Sequence, residues 1–418
     1  RHEWLYLSTP PFPTMTDRCE RFDHLFTGTV RASLDEPGYG SWRSLTAPDA
    51  VSLSFGFPYP DSFPEAALSE SLEAVLREEG SDALQYGGGE YVDSLREGIL
   101  GIETRNGIEA DTENLLLTNG ATHALDSIAR TVLEPGDEIF VEVPTFMGSL
   151  SLFENFGVDV SGFPLDEDGL DVDAVEAALA ARRSRGDPIP KLLYTIPNFQ
   201  NPTGATLSRE RREKLVELAA EYGFLVVEDD AYGELRFDGD DVTPMAVLDD
   251  EGWVVRMGTF SKTIAPGVRT GWVLGHDALI EQCSRLAAGG TNTFTQSVLG
   301  RYFDAGHYEP VVEDLVEAYG ERRDAMLDSL AAHLPPGSDW TEPEGGFFVW
   351  VTLPEGVDTE ELLPQAAEEG VTYLPGSQFY PEDGGVRSLR ISFSHVTPEE
   401  MDRGIAALAR ATEAALAE

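Results

Sequence analysis

Gly258-Thr259-Phe260-Ser261-Lys262-Thr263-Ile264-Ala265-Pro266-Gly267-Val268-Arg269-Thr270-Gly271-Trp272 follows an apolar run, Trp253 to Met257, and holds one of only three lysines in 418 residues. The other two have plain readings. Lys191 opens Lys-Leu-Leu-Tyr-Thr-Ile, where a lysine snorkels at a strand end. Lys214 lies in Arg-Glu-Arg-Arg-Glu-Lys-Leu, the polar face of an ordinary helix. Lys262 instead sits among small hydroxyl residues, with Arg269 seven residues on. A lysine amine condenses with an aldehyde. Hydroxyls with an arginine suit a phosphate.

An aldehyde that carries a phosphate is pyridoxal phosphate. Ser-Lys-Thr-x-Ala-Pro-Gly-x-Arg-x-Gly-Trp resembles the cofactor-lysine segment of the class I/II aminotransferases of PLP fold type I. Within them it is most similar to the branch of 2-aminoadipate, kynurenine, aromatic and branched-chain aminotransferases. The plain alternative is a loop after a buried strand, with a surface lysine and a salt-bridged arginine.

Around this stretch the chain has an α/β rhythm. Apolar runs at 114–117, 138–143, 158–163, 191–196, 224–228, 253–257 and 271–274 alternate with amphipathic helical stretches. Short buried strands alternating with helices predict an α/β sheet. The resemblance implies a seven-stranded, mostly parallel sheet with one antiparallel strand. In open α/β sheets ligands bind beyond the carboxyl ends of the strands, and the residues of interest stand there.

After the first run, Thr-Asn-Gly-Ala-Thr-His enters a helix, whose free N–H groups and dipole favour a phosphate; Ala121 and Thr122 supply them. His123 reads as helix packing. After the second run, Phe146 offers an aromatic face where the resembled family stacks a ring, most often that of a tyrosine. After the fourth, Asn-Pro-Thr-Gly is a turn, and Asn201 matches the family asparagine that donates to the cofactor's phenolic oxygen and touches substrate. The fifth ends in Glu-Asp-Asp-Ala-Tyr. A pyridine nitrogen that must stay protonated needs a carboxylate beside it. Asp-x-Ala-Tyr selects Asp229, with Tyr232 donating to the phenolic oxygen and Asp230 left as a cap or surface acid. Thr259, Ser261 and Arg269 complete the phosphate set. Gly56 matches the family glycine beside the substrate. Tyr86, in Leu-Gln-Tyr-Gly, matches a tyrosine reaching the phosphate of the neighbouring subunit, which implies a homodimer with shared sites.

Beyond 304 the pattern becomes α+β. Leu-Arg-Ile-Ser-Phe matches the carboxylate-binding arginine of the resembled family, which implies that Arg390 forks onto the substrate α-carboxylate; otherwise an arginine amid apolar neighbours needs a buried acid. The expected organisation is an N-terminal arm over 1–50, a large PLP-binding domain over 51–304 and a small C-terminal domain over 305–418. Arg18, Arg21, Arg31 and Arg43 of the arm are candidates to reach the site.

Composition sets the outer bounds. Seventy-five acids face 29 bases, a net charge of −46 spread along the chain. Even coverage reads as a solvated acidic surface; with the lysine shortage it resembles proteins of salt-loving archaea, and it disfavours nucleic-acid binding. Cys19 and Cys283 make no disulfide framework, so a reducing cytoplasm is the default. No His/Cys spacing suggests a metal, and no run approaches a membrane span. The resemblance implies transamination between an amino acid and a 2-oxo acid such as 2-oxoglutarate. Lyases or ring-forming synthases on the same residues are the alternative. A PLP-sensing regulator would need a basic DNA-binding module, unlike the acidic, Pro- and Gly-rich first 50 residues.

Overall fold

The computed structural model describes residues 22–28, 49–287 and 290–417. Arg18, Arg21, Arg31 and Arg43, and most of the expected arm, lie outside them. The central sheet contains β2 (Leu115–Thr118), β3 (Glu138–Val143), β4 (Asp159–Asp166), β5 (Gly169–Leu170), β6 (Leu192–Thr195), β7 (Leu225–Asp229), β8 (Val254–Thr259) and β9 (Gly271–Leu274), after an early short strand β1 (Val51–Ser52). Its order is β2-β9-β8-β7-β6-β3-β4-β5. β9 runs antiparallel to both β2 and β8, while β8, β7, β6, β3 and β4 are parallel neighbours. The seven expected strands are all present. The eighth, β5, is a two-residue return from β4, paired antiparallel at Leu165 and Leu170, too short to leave a period-2 signal.

The apolar runs of β2, β3, β6, β7, β8 and β9 are largely buried on both faces because helices cover both, whereas β4, near one side of the sheet, is mostly exposed or half-buried. Alternate residues of a strand point to opposite sides. Leu192 and Tyr194 of β6 therefore join the core beneath helices Ala121–Val132, Met147–Phe156 and Asp277–Leu286, while Leu193 joins the core beneath Val172–Arg185 and Arg209–Tyr222. A third apolar cluster packs helices Tyr91–Arg105 and Thr293–Asp304 against Leu115, Leu117, Phe260 and Trp272.

The C-terminal sheet has the order β10 (Asp339–Trp340), β11 (Phe348–Thr352), β14 (Ser388–Ser392) and β13 (Leu374–Pro375). Helices Tyr308–His333, Thr359–Glu369 and Pro398–Ala417 pack with it. The last of these helices starts on a capping box, the Thr-Pro-Glu-Glu of residues 397–400: Thr397 N donates to Glu400 Oε2 at 2.9 Å, and Glu400 N to Thr397 Oγ1 at 3.3 Å. β1 does not join the central sheet. It pairs parallel with β12 (Val371–Thr372), so the chain reaches Gly56 from the C-terminal side of the molecule.

The C-terminal ends of β2, β3, β6, β7 and β8 share one edge of the central sheet. From β3 the chain turns outward to β4 and then back to β6, so a crevice opens between the loops after β3 and β6. Arg390 on β14 faces that edge, since its guanidinium reaches Asn201 after β6.

Candidate active site

Lys262 follows β8 on a short turn. Its Nζ donates to Gly56 O at 2.8 Å and stands 5.7 Å from the Tyr232 ring centre and 5.3 Å from that of Phe347. Among the described residues no carboxylate is within ion-pair distance of it. Burial, and then the Arg390 charge, lower its pKa to about 8. Near pH 7 about a tenth of the amine is therefore neutral and nucleophilic, far more than for an ordinary lysine. Gly56 is required here: a Cβ would lie 2.4 Å from the Phe348 ring.

Asp229 closes β7 and is buried. Its Oδ2 accepts from the Tyr194 hydroxyl at 2.6 Å, while Oδ1 is buried with no partner. Burial pushes this carboxyl up to about 6, against the lowering hydrogen bond from Tyr194; the Asp230 charge raises it further and Arg256 lowers it. Tyr232, three residues on, is buried, and desolvation raises its pKa.

Asp230 is neither a cap nor a surface acid. Its Oδ2 pairs with Arg256 Nη2, and its Oδ1 accepts from Asn198 Nδ2 at 2.8 Å. Arg256, inside β8, also meets Glu103 at 2.9 Å and Glu228 at 3.5 Å. A guanidinium buried in a sheet needs such partners, and Asp230 is consumed in supplying one. This leaves Asp229 as the acid facing the pocket. A signal for this cluster existed: Arg256, Glu228 and Asp230 are charges within or beside apolar runs, and such charges have to find each other.

Arg390 is 4% exposed and has no carboxylate partner among the described residues. Nη1 donates to Asn201 Oδ1 at 2.8 Å and Nη2 to Ser54 O at 2.6 Å, while Nε is unpaired. The guanidinium lies 4.0 Å from the Phe348 ring centre and 5.1 Å from that of Phe379. Burial lowers its pKa to about 10. A desolvated cation held only by neutral oxygens and aromatic faces is a site for an incoming anion.

At the other end of the pocket, Thr259 and Ser261 hydroxyls are 2.9 Å apart. Arg269 has φ +47°, a conformation uncommon for a non-glycine residue. Its Nη2 donates to Asn119 O at 3.1 Å. Gly120, at φ +88°, lets it approach: a Cβ there would lie 2.6 Å from Arg269 Nη2. Helix Ala121–Val132 begins at this point with no side-chain cap, and the N–H groups of Ala121 and Thr122 have no partner among the described residues. Two hydroxyls, one guanidinium and two free amides form a cradle for a phosphate. His123 has a task the helical pattern did not reveal: its Nδ1 accepts from Asn119 N at 3.0 Å and so fixes the turn.

Phe146 caps helix Met147–Phe156, half-buried, with its ring against Gly148. A groove of about 850 Å³ runs from Asn119, Thr122 and Arg269 to Gly148 and Phe156. Tyr86 is not brought into the pocket; it is fully exposed, and Leu84 beside it is 66% exposed.

The set fits pyridoxal phosphate. The unpaired Asp229 Oδ1 is an acceptor for a pyridine N–H, the Lys262 amine is matched to an aldehyde, and the cradle to a phosphate. The profile of the family described as "Aminotransferase class I and II" matches residues 48–408. The chain is 39% identical over 365 residues to an aromatic-amino-acid aminotransferase of Thermococcus litoralis, covering 86% of this chain and 87% of that protein. Among solved structures it resembles a multiple substrate aminotransferase from Thermococcus profundus, with TM-score 0.89 and 37% identity over 95% of this chain and 99% of the other. It also resembles a Pyrococcus horikoshii kynurenine aminotransferase in complex with PMP, with TM-score 0.86 and 37% identity over 96% of this chain and 99% of the other. The chain thus belongs to the class I and II aminotransferases, pyridoxal phosphate-dependent enzymes that move an amino group between an amino acid and a 2-oxo acid.

Proposed function

We propose that Lys262, Asp229, Tyr232, Asn201 and Arg390 carry transamination of an amino acid with an aromatic, branched-chain or 2-aminoadipate-like side chain. The observation that carries this reading is a pair of buried polar atoms without a partner, Asp229 Oδ1 and Arg390 Nε, whose charges both act on Tyr232, the ring 5.7 Å from the Lys262 amine. Bound there, pyridoxal phosphate supplies an aldehyde for the amino group and a ring that draws electrons from the bond being broken. Arg390 forks onto the substrate carboxylate and so orients the Cα–H bond. Lys262 Nζ, as a free amine, would take the proton from Cα. Asp229 Oδ1 holds the proton on the ring nitrogen, with Tyr194 fixing the carboxylate. Tyr232 and Asn201 serve the phenolic oxygen, Phe146 covers the ring, and Ala121, Thr122, Thr259, Ser261 and Arg269 hold the phosphate. Gly56 O accepts from the lysine amine when Nζ is not attached to the cofactor. Residues 51–304 act as the cofactor-binding unit and 305–418 as the unit that brings Arg390, with β1 tying the two together. An amino-donor screen with 2-oxoglutarate tests the reading. The expected result is glutamate formed from donors of these classes; cofactor bound but no 2-oxo product from any donor would favour a lyase or synthase instead.

The active unit in this reading is a homodimer. The support is Tyr86, which is fully exposed among the described residues although it belongs to the motif that implies a role at the phosphate. Tyr86→Phe and Arg269→Ala variants should each be impaired, yet mixed heterodimers should recover one intact site per dimer. Heterodimers no more active than the average of the parents would place Tyr86 outside the partner's site.

The acidic surface points to a cytoplasm of high salt. Seventy-five acids against 29 bases repel one another, and dimer formation brings two such chains together. The Debye length is about 10 Å at 0.1 M ionic strength and about 3 Å at 1 M. Molar KCl should therefore raise the melting temperature, and dilution should release cofactor as dimers separate, before the core unfolds. Melting curves and cofactor absorbance across a KCl series check this; a flat melting temperature with full activity in dilute buffer removes the salt-adapted reading.

A further inference from the structure

Two buried side chains have no task in the reading above. Glu142 and Gln200 lie between the loop that carries Phe146 and the turn that carries Asn201. Glu142 Oε2 accepts from Thr195 Oγ1 at 2.6 Å, and Oε1 accepts from Ile196 N at 2.9 Å and from Gln200 Nε2 at 3.1 Å. Gln200 Nε2 also donates to Pro144 O at 2.8 Å. Gln200 Oε1 accepts from Thr203 N at 2.9 Å and from Thr203 Oγ1 at 2.7 Å. Both hydrogens and both acceptor positions of the amide are therefore in use.

A buried carboxylate is expensive. Desolvation pushes Glu142 up to about 7 in spite of the three donors, and an apolar residue in β3 would avoid that penalty. The geometry indicates what the pair does in return. Pro144 O lies two residues before Phe146, and Thr203 two residues after Asn201. The amide ties these two loops to each other, and Glu142 ties the amide to β3 and β6. On its far side Asn201 accepts from Arg390 Nη1. A continuous set of bonds thus runs from the central sheet to the guanidinium on β14.

We propose that Glu142 and Gln200 are positioning residues: they set the Asn201 side chain against Arg390, and the Phe146 ring plane, for a substrate carboxylate and a cofactor ring. The proposal rests on the assignments of Asn201, Arg390 and Phe146 made above. The test uses the full chain, wild type and Gln200→Met, Glu142→Gln and Thr203→Val. Gln200→Met keeps the volume and removes the four hydrogen bonds; Thr203→Val removes one of these four, together with the bond that Ala205 N donates to Thr203 Oγ1 at 3.3 Å. Three measurements are made on each: KM and kcat with an amino acid, the same with an amine lacking the carboxylate, and affinity of the apoprotein for pyridoxal phosphate by absorbance titration. Displacements of about 1 Å cost on the order of 100-fold. Gln200→Met and Glu142→Gln should therefore raise KM for the amino acid by roughly 10- to 100-fold and weaken cofactor binding, while KM for the carboxylate-free amine changes by less than about threefold. Thr203→Val should move the same quantities in the same direction by less, and it carries the test if the other two do not fold. Variants that melt lower while amino-acid KM and cofactor affinity stay within about twofold of wild type would overturn the proposal and leave a purely structural clamp. Failure of the functional reading is seen separately, as a wild-type protein that turns over no amino acid.

Discussion

Lys262→Ala lowers transamination by at least about 10⁴-fold, the upper end of what one positioned general acid–base group contributes. Two functions vanish together, attachment of the cofactor and removal of the α-proton. The surroundings of the side chain are the reason no neighbour replaces it. Among the described residues its contacts are the Gly56 carbonyl and the rings of Tyr232 and Phe347, none of which is a base. The measurement is activity together with borohydride trapping and peptide mass. Trapped cofactor should map to residue 262 in the wild type and be absent from the variant. Mapping to Lys191 or Lys214 would refute the assignment. Lys214 is in any case engaged, bridging Asp173 and Glu176 at 2.5 Å each. Because Lys262 must be neutral to attack an aldehyde, and burial with Arg390 lowers its pKa to about 8, the rate of cofactor attachment to the apoprotein should climb as pH rises toward and through about 8. Were the pKa unshifted, the climb would lie near the ordinary lysine value of about 10.4.

Arg390→Ala produces the second large effect, and a selective one. Hydrogen bonds to charged groups contribute about 1.5–3 kcal/mol, so kcat/KM for an amino acid should fall roughly 10- to 150-fold. The loss for an amine without a carboxylate should be much smaller. Arg390→Lys separates charge from shape: it keeps the cation but not the planar fork, and should recover only part of the loss. A further consequence follows from the Arg390 charge, which helps to lower the Lys262 pKa. Removing it should move the pH dependence of cofactor attachment upward. Equal losses for the amino acid and the bare amine would take Arg390 out of the substrate site.

Local chemistry was sufficient for much of this molecule. The sheet was legible because six of its strands are largely buried on both faces and therefore read as apolar runs; β4, mostly exposed or half-buried, was legible from the alternation of strand and helix around it. Lys262 stood out because the chain carries almost no other lysine, and Arg390 because a guanidinium amid Leu, Ile and Phe demands a partner. The C-terminal capping box was legible because its hydrogen bonds close within four residues.

Other features depend on contacts between residues distant in sequence, even where, as for Asp229, a motif of the resembled family had pointed to the residue. Asp229 and Asp230 are adjacent and chemically identical. Strand geometry turns one toward the pocket and the other toward Arg256, whose partners Glu103 and Glu228 come from a separate helix and a neighbouring strand. Alternation across a pleated strand separates two neighbours in this way, but which one faces the pocket depends on where the opposite charge is buried. The pairing of β1 with β12, which delivers Gly56 to Lys262, joins segments more than 300 residues apart. The Glu142–Gln200 clamp and the Tyr194 hydrogen bond to Asp229 likewise form only once β3, β6 and β7 lie side by side. A buried polar group must find a partner, and the sequence states that requirement; the packing of the sheet and the C-terminal unit settles which partner it finds.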